Sequence, residues 1–390
     1  MRLPLKYNLR HLRVRWRATA ATVVFVALVV AVFVMVMSLA RGLRATYLST
    51  GDARNLLVLR KGALAESSSQ VTLGEVRKVK FLEGIARATT AGGGEEPLVS
   101  PELIVLITLQ RSGGGKAHVQ VRGLGPMGAA LRPDITVVAG RMFAPGRREC
   151  IVSRSVAKRF AECGLGLEFR SGKHAWKVVG LFEARRTAYD SEIWVDADEA
   201  RKAFNRSFYG SILLRPADAA AAAQIRQRIE IDKSMRLRAL NETEYFGEQT
   251  RTAAPIQIFG AALALIMSLG AAFAAMNTMY ASVGARAREI GTLRVLGFRR
   301  RAIYASFMVE SLFVALAGGV LGDALSLPMN GLLTGTFNWS TFSEVAFEFR
   351  VTPGLLGLGL VFALVMGLLG GLLPARWAAR RDVLEALRSG

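Results

Sequence analysis

Four stretches of this sequence are too apolar and too long for an ordinary water-soluble fold. Residues 18–40 carry no charge across 23 positions, and residues 252–285 carry none across 34. Residues 302–325 are apolar apart from Glu310 and Asp323, and residues 351–375 are again uncharged. A helix crosses the hydrocarbon core of a bilayer with about 20 apolar residues, so each stretch can span it. The first exceeds the roughly 7–15 apolar residues of a secretory signal and lacks a clear small-residue cleavage site, so it is expected to remain as an anchor.

Charge lies between these runs rather than among them. A net charge of +21 stands beside 52% hydrophobic residues, a combination that a soluble basic protein would spread evenly. Residues 1–17 hold six basic residues and no acid, and 286–301 hold six against Glu289. The tail 376–390 holds four against Asp382 and Glu385, whereas 326–350 holds only Arg350 against Glu344 and Glu348. The positive-inside rule then predicts a multi-pass membrane protein with cytoplasmic N and C termini. In order, the reading is a basic elbow at 1–17, a first span at 18–40 and an external domain at 41–251. A second span with an outer stalk follows at 252–285, then a cytoplasmic segment at 286–301 and a third span at 302–325. An external loop at 326–350, a fourth span at 351–375 and a cytoplasmic tail at 376–390 complete it.

The external domain balances 34 basic residues against 23 acidic ones, which suits a solvated surface or contact with anionic head groups. Its position on the far side of the membrane argues against nucleic acid as a partner. Strand-like runs at 55–60, 102–109, 117–122, 176–182, 192–195 and 211–214 mix with helical patterns at 72–86, 153–162, 196–205 and 217–231. The order predicts a mixed α/β fold of two subdomains between helices 1 and 2. A subdomain at about 123–205 is inserted into another built from about 50–122 and 206–240. Cys150 and Cys163 are the two cysteines, and an oxidising exterior would permit a disulfide between them. Asn241 and Glu244 have the spacing of a variant capping box. The helix they would start either runs on through residue 285 or breaks at Pro255.

Catalytic signatures are absent. No G-x-x-x-x-G-K-S/T phosphate loop, H-E-x-x-H helix, G-x-S-x-G elbow or cysteine-rich metal spacing occurs, so no enzymatic activity, metal or bound cofactor is expected. Glu310 lies nine residues beyond Arg301, inside a span, where an ionisable group is a functional candidate by default. Three readings stand open for it: a pair with an arginine near the inner interface, contact with a partner helix, or simple snorkelling or protonation. Gly318 with Gly322, and Gly367 with Gly371, have the small-residue spacing that lets helices approach closely.

The segment between the second and third spans carries the sharpest signal. Within 286–297, Ile290, Leu293 and Leu296 recur at three-residue spacing and form a short apolar stripe. Arg286 and Glu289 are spaced for an i,i+3 pair, and Gly297 can take the left-handed conformation that ends a helix. The stretch 274–322 resembles the C-terminal membrane block of the MacB/FtsX-type permeases of ABC transporters. The likeness rests on R-x-R-E-I-G at Arg286–Gly291, L-R-x-L-G at Leu293–Gly297, the basic cluster after them and the glutamate early in the next span. The endings P-A-R-x-A-A and A-L-R at 374–388, the elbow at 7–30 and the segment 149–184 are similar to the same family.

The resemblance implies a non-catalytic permease subunit that relays motion from an ABC ATPase to its external domain. ATP and magnesium would be bound by that cytoplasmic partner, since no ATPase domain like that of MacB itself precedes the first span. It also implies a permease dimer and allows a periplasmic adaptor (membrane fusion) protein and an outer-membrane duct. Arg286, Arg288, Glu289, Ile290, Gly291, Leu293, Arg294, Leu296 and Gly297 would form the ATPase-coupling helix. The implied cargo is amphiphilic: a lipid, lipoprotein, peptide or antibiotic, exported or extracted. The alternative is a non-transporting transmembrane regulator of the FtsX kind that controls an extracytoplasmic partner.

Overall fold

The computed structural model describes residues 16–89, 93–250, 254–338 and 343–380. Two compact units emerge, one of residues 1–42, 254–332 and 348–390, the other of 43–253 and 333–347. Most of the basic elbow (1–15) and the end of the tail (381–390) lie outside the described residues.

The first unit is a helical bundle. Four helices are long and apolar enough to cross a membrane: α1 (Trp16–Leu48), α7 (Ala254–Ala285), α9 (Arg300–Ser326) and α10 (Pro353–Arg380). Helix is what this solvent demands, because each backbone polar group must find its partner within the segment. The valines that would favour strands in water therefore sit helically, and Val26, Val30 and Val34 form one buried stripe of α1. Ala271, Leu355, Ala363 and Met366 pack against it, and Phe33 stacks on Phe362 at 4.4 Å between ring centroids.

The glycine pairs pack within one chain. A methyl group added at Gly318 would lie 2.7 Å from Val26 Cβ, and one at Gly322 would lie 2.6 Å from the Ala27 carbonyl oxygen. One at Gly371 would lie 2.7 Å from Ser311 Cβ. Asp323, 22 residues past Arg301, suggests an interfacial position, but its side chain is buried beside Gly359 and Val34. Its Oδ1 has no hydrogen-bond partner among the described residues. In contrast, α7 turns Phe259, Ile266 and Phe273 outward.

The second unit is built on a ten-stranded mixed sheet. In chain order its strands are β1 (Leu56–Arg60), β4 (Val99–Gln110), β5 (Lys116–Leu124), β6 (Thr136–Gly140), β7 (Glu149–Ser153), β8 (Glu168–Ser171), β9 (His174–Glu183), β10 (Glu192–Asp196), β11 (Ser211–Leu214) and β12 (Leu237–Asn241). A small ribbon, β2 (Arg87–Thr89) with β3 (Glu95–Pro97), stands apart. The sheet runs β12-β1-β11-β4-β5-β10-β7-β9-β6, with β8 on β9. Pairs β5/β10 and β7/β9 are parallel and the rest antiparallel.

Strand β4 changes partner midway. Residues 99–102 pair with β11 and residues 103–110 with β5. Two cores meet at this change. One, from Leu56, Val58, Val99, Ile212 and Leu214, is covered by α2 (Leu73–Lys80) and α5 (Ala219–Ile231), the latter through Ile225 and Ile229. The other runs from Leu103 to Phe204 and includes Trp176. The inserted core thus begins about twenty residues earlier than the strand spacing suggested, because the β4–β5 hairpin turns its apolar face inward there. Capping places the helices locally: Thr72 and Glu75 close a reciprocal capping box on α2, and Asp218 caps α5.

Cys150 and Cys163 are free thiols, contrary to the permitted disulfide. Both sit in the second core. Burial pushes Cys163 up to about 12 and moves Cys150 upward too, which suppresses the thiolate that oxidation requires. Asn241 does precede α6 (Glu242–Gln249), but its side chain makes no cap and accepts instead from Arg226. Helices α6 and α7 are separate where described, and their junction at 251–253 lies outside the described residues.

The start of β7 carries a pH-sensitive contact. Arg141 donates to both oxygens of Glu149 at 2.7 Å, and the Ala144 N–H adds a third bond at 3.0 Å. Arg141 first, helped by this N–H, outweighs the burial penalty and lowers the carboxyl from 4.5 to about 2. A lowered carboxyl contributes stability above its unfolded value and loses it as pH falls through the folded one. Glu149→Gln should therefore flatten the acid-side loss of stability between pH 4.5 and about 2. Acid titrations followed by near-ultraviolet circular dichroism would show this, and superimposable acid limbs would refute it.

Candidate functional site

The arginine-rich segment folds as α8 (Ala287–Val295), separated from α7 by Arg286, whose φ of −109° and ψ of 15° break the helical run. Arg286 is buried. Its Nη1 donates to Glu310 Oε2 at 2.8 Å, its guanidinium lies 5.2 Å from the Phe307 ring centroid, and Glu289 stands 3.7 Å from Nε. Of the three readings for Glu310, the structure shows the ion pair with an arginine. With side-chain exposures of 7% and 12%, this pair has left water, so the two charges depend on each other.

The apolar stripe divides between two roles. Ile290 is 3% exposed and packs with Met279, Val283, Ile303, Phe307 and Ala378 of the chain's own bundle. Gly291 is buried beside it, and Leu293 and Arg294 are half-buried. Leu296 is 66% exposed and Val295 65%. The expected continuous docking stripe is therefore an anchor at Ile290 and a free apolar tip at 295–296. The three-residue spacing drifts around a helix of 3.6 residues per turn, which carries Leu296 off the buried face.

Gly297, at φ +89°, ends the helix in the left-handed region. The Phe298 N–H bonds the Leu293 carbonyl and the Gly297 N–H bonds the Arg294 carbonyl, a Schellman closure. Around the tip, Arg288, Glu289, Arg299, Arg300 and Arg301 are exposed. The site thus presents an exposed apolar tip with exposed arginines on the same helix and just beyond it.

A second constellation, which sequence reasoning missed, lies in the other unit where β4 changes partner. Arg122, 1% exposed, spends all five of its N–H groups on three carboxylates. Nε and Nη2 bond Glu192 at 2.8 and 2.9 Å, Nη1 and Nη2 bond Glu66 at 2.9 Å, and Nη1 bonds Glu102 at 2.7 Å. Arg132 clamps Glu102 from the other side at 2.7 and 2.9 Å. Burial pushes the Glu102 carboxyl up, but Arg132 and Arg122 together outweigh it and hold it low. For Glu192 burial wins and raises the carboxyl. Glu66 comes from the first core's side, Glu102 from the change-over itself, and Arg122 and Glu192 from the inserted side.

The segment expected as an external loop is a hairpin, β13 (Leu333–Asn338) and β14 (Ser343–Glu348), folded into the second unit. Val345, Ala346 and Phe347 are buried. Glu344 accepts from Arg159 at 2.8 Å and also from Arg111, and the Ala346 N–H donates to Ser191 Oγ at 2.8 Å.

Four apolar helices, with a mixed α/β domain inserted after the first, define a multi-pass membrane protein. The family described as MacB-like periplasmic core domain matches residues 19–231, more than half of the chain, and FtsX-like permease C-terminal matches residues 261–383. The chain belongs to the MacB/FtsX-type family of ABC transporter permeases.

Its relatives include the macrolide export ATP-binding/permease protein MacB of Bdellovibrio bacteriovorus, 26% identical over 70% of this chain and 44% of that protein. MacB of Bordetella avium is 28% identical over 74% and 46%. The pyoverdine export ATP-binding/permease protein PvdT of Pseudomonas entomophila is 26% identical over 95% and 57%. The chain thus spans about half the length of the curated relatives it matches. Among solved structures, the periplasmic region of MacB from Actinobacillus actinomycetemcomitans covers 49% of this chain and 90% of its own, at TM-score 0.38 and 11% identity. The extracellular domain of the noncanonic ABC-type transporter YknZ from Gram-positive bacteria covers 48% and 100%, at TM-score 0.35 and 15% identity.

Proposed function

We propose that this chain is the membrane subunit of an ATP-driven exporter. It is non-catalytic, and ATP and magnesium are bound by a separate cytoplasmic ATPase. The observation that carries the reading is the α8 tip. Val295 and Leu296 project beside exposed arginines from a helix that Ile290 and the Arg286–Glu310 pair fix to the bundle. An apolar knob with a basic rim suits a groove on a protein partner, since a buried apolar anchor supplies affinity and rim charges supply orientation. The termini and α8 then face the cytoplasm, and the permease works as a dimer. The macrolide and pyoverdine export named for its relatives supports an amphiphilic cargo. An adaptor and outer-membrane duct would complete the export route.

The test is co-purification. The full chain, extracted in mild detergent from its native host, should bring down an ABC ATPase whose hydrolysis rises when the two are recombined. If no ATPase associates or responds under any extraction condition, the reading fails.

A further inference from the structure

A half-open cavity of about 710 Å³ is lined by α1, α7, α9 and α10 of the helical bundle, toward the end from which α8 emerges. Its size falls within the roughly 300–1,000 Å³ of sites that enclose small amphiphiles. Small side chains make the room: Ala271, Ala275 and Ala315 line its apolar depth, with Val26 and Met366. Nearer the mouth the lining turns polar, with Thr19, Thr22, Asn277, Thr278 and Ser282. Trp16 and Arg17 stand at the opening, both exposed, with the Arg17 guanidinium 5.6 Å from the Trp16 ring centroid. Tryptophan and arginine at a helix end mark the head-group level of a bilayer.

Charge decides among occupants. Glu310 lines the cavity, but Arg286 pairs with it at 2.8 Å, which leaves Arg17 as the charge of the lining with no carboxylate partner among the described residues. An empty space of this size would forfeit dispersion contacts along its whole lining, and a hydrocarbon surround offers no water to fill its apolar depth. We propose that the cavity holds an anionic phospholipid, with one acyl chain among Ala271, Ala275 and Ala315 and the phosphate at Arg17. This inference rests on the membrane-spanning reading and on the orientation proposed above, but not on the identity of the ATPase.

The experiment reconstitutes the full chain, without any partner, into phosphatidylcholine vesicles containing a trace of photoactivatable lipid labelled on the acyl chain. The probe carries either a phosphatidylglycerol or a phosphatidylcholine head group. Peptide mapping then compares adducts at the cavity residues Met279 and Val314 with those at outward-facing Phe273. The phosphatidylglycerol probe should label the cavity about fivefold more than the phosphatidylcholine probe, the ratio equivalent to about 1 kcal/mol per basic residue near an anionic surface. Arg17→Gln should bring that ratio to about one, while labelling at Phe273 stays unchanged and reports an intact bundle. Equal labelling by both probes in the unaltered protein would overturn the head-group assignment. An unlabelled cavity would overturn the proposal, as would a disulfide between two copies of Asn277→Cys that excludes the probe. Loss of ATPase association, measured separately, would sink the functional reading and leave these lipid results standing.

Discussion

Arg122→Met is expected to lower the stability of the external domain by about 3–5 kcal/mol, the cost of stranding buried charges without their partner. The substitution keeps most of the side-chain bulk and removes five hydrogen bonds, leaving Glu66 and Glu192 without their arginine. Glu102 keeps Arg132, so the loss concentrates on the other two. Exposed pairs such as Arg154–Glu183 offer the contrast, since breaking one costs about 0–1 kcal/mol. Thermal unfolding of the full chain can be followed through Trp194, which donates to Glu192 at 2.8 Å. A loss below about 1 kcal/mol would mean that the cluster behaves like a solvated surface network. Adding Glu66→Leu and Glu192→Leu should recover much of the deficit, because an apolar replacement of a whole buried ion group is often neutral.

Leu296→Asp should weaken association with the ATPase by roughly 30-fold or more, the effect of losing an interfacial anchor worth about 2 kcal/mol. At 66% exposure Leu296 contributes little to the bundle, so membrane insertion and melting temperature should not change. Ile290→Asp should behave differently, because Ile290 lies in the core with Phe307 and Ala378, and it should destabilise the bundle itself. Titrating the ATPase against each variant, beside a melting curve, separates the two. Unchanged affinity and stimulation for Leu296→Asp would remove the tip from the interface.

How legible all this was depends on the kind of signal. The spans could be read because their signal is one-dimensional: length and the absence of charge suffice. Strands β1, β4, β5, β9, β10 and β11 could be read because each carries an apolar run that a sheet must cover. Strands β6 and β8 could not, since Thr136–Gly140 carries its two valines side by side and exposed rather than alternating, and Glu168–Ser171 buries Phe169 alone. The Arg122 cluster was hidden for a different reason. Glu102, Arg122 and Glu192 border apolar runs and Glu66 lies outside any strand, so sequence alone cannot distinguish solvated positions from a buried joint. Only bringing together four segments of the chain, at Glu66, Glu102, Arg122 and Glu192, reveals it. In α8, the positions of Ile290 and Leu296 on one apolar pattern were visible, but not that they face different neighbours.

The hairpin at 333–348 has a consequence for anyone who wishes to study the external domain in isolation. That domain is discontinuous in the gene, so a clone ending at residue 253 omits the piece that supplies Val345, Ala346 and Phe347 to its interior. Arg111 and Arg159 would then face each other without Glu344, and the Ser191 hydroxyl would lose the Ala346 N–H. A soluble version should be stitched together, with the hairpin returned through a designed linker. Otherwise it would expose an apolar seat that invites aggregation, and its behaviour in solution would report a wound rather than a domain.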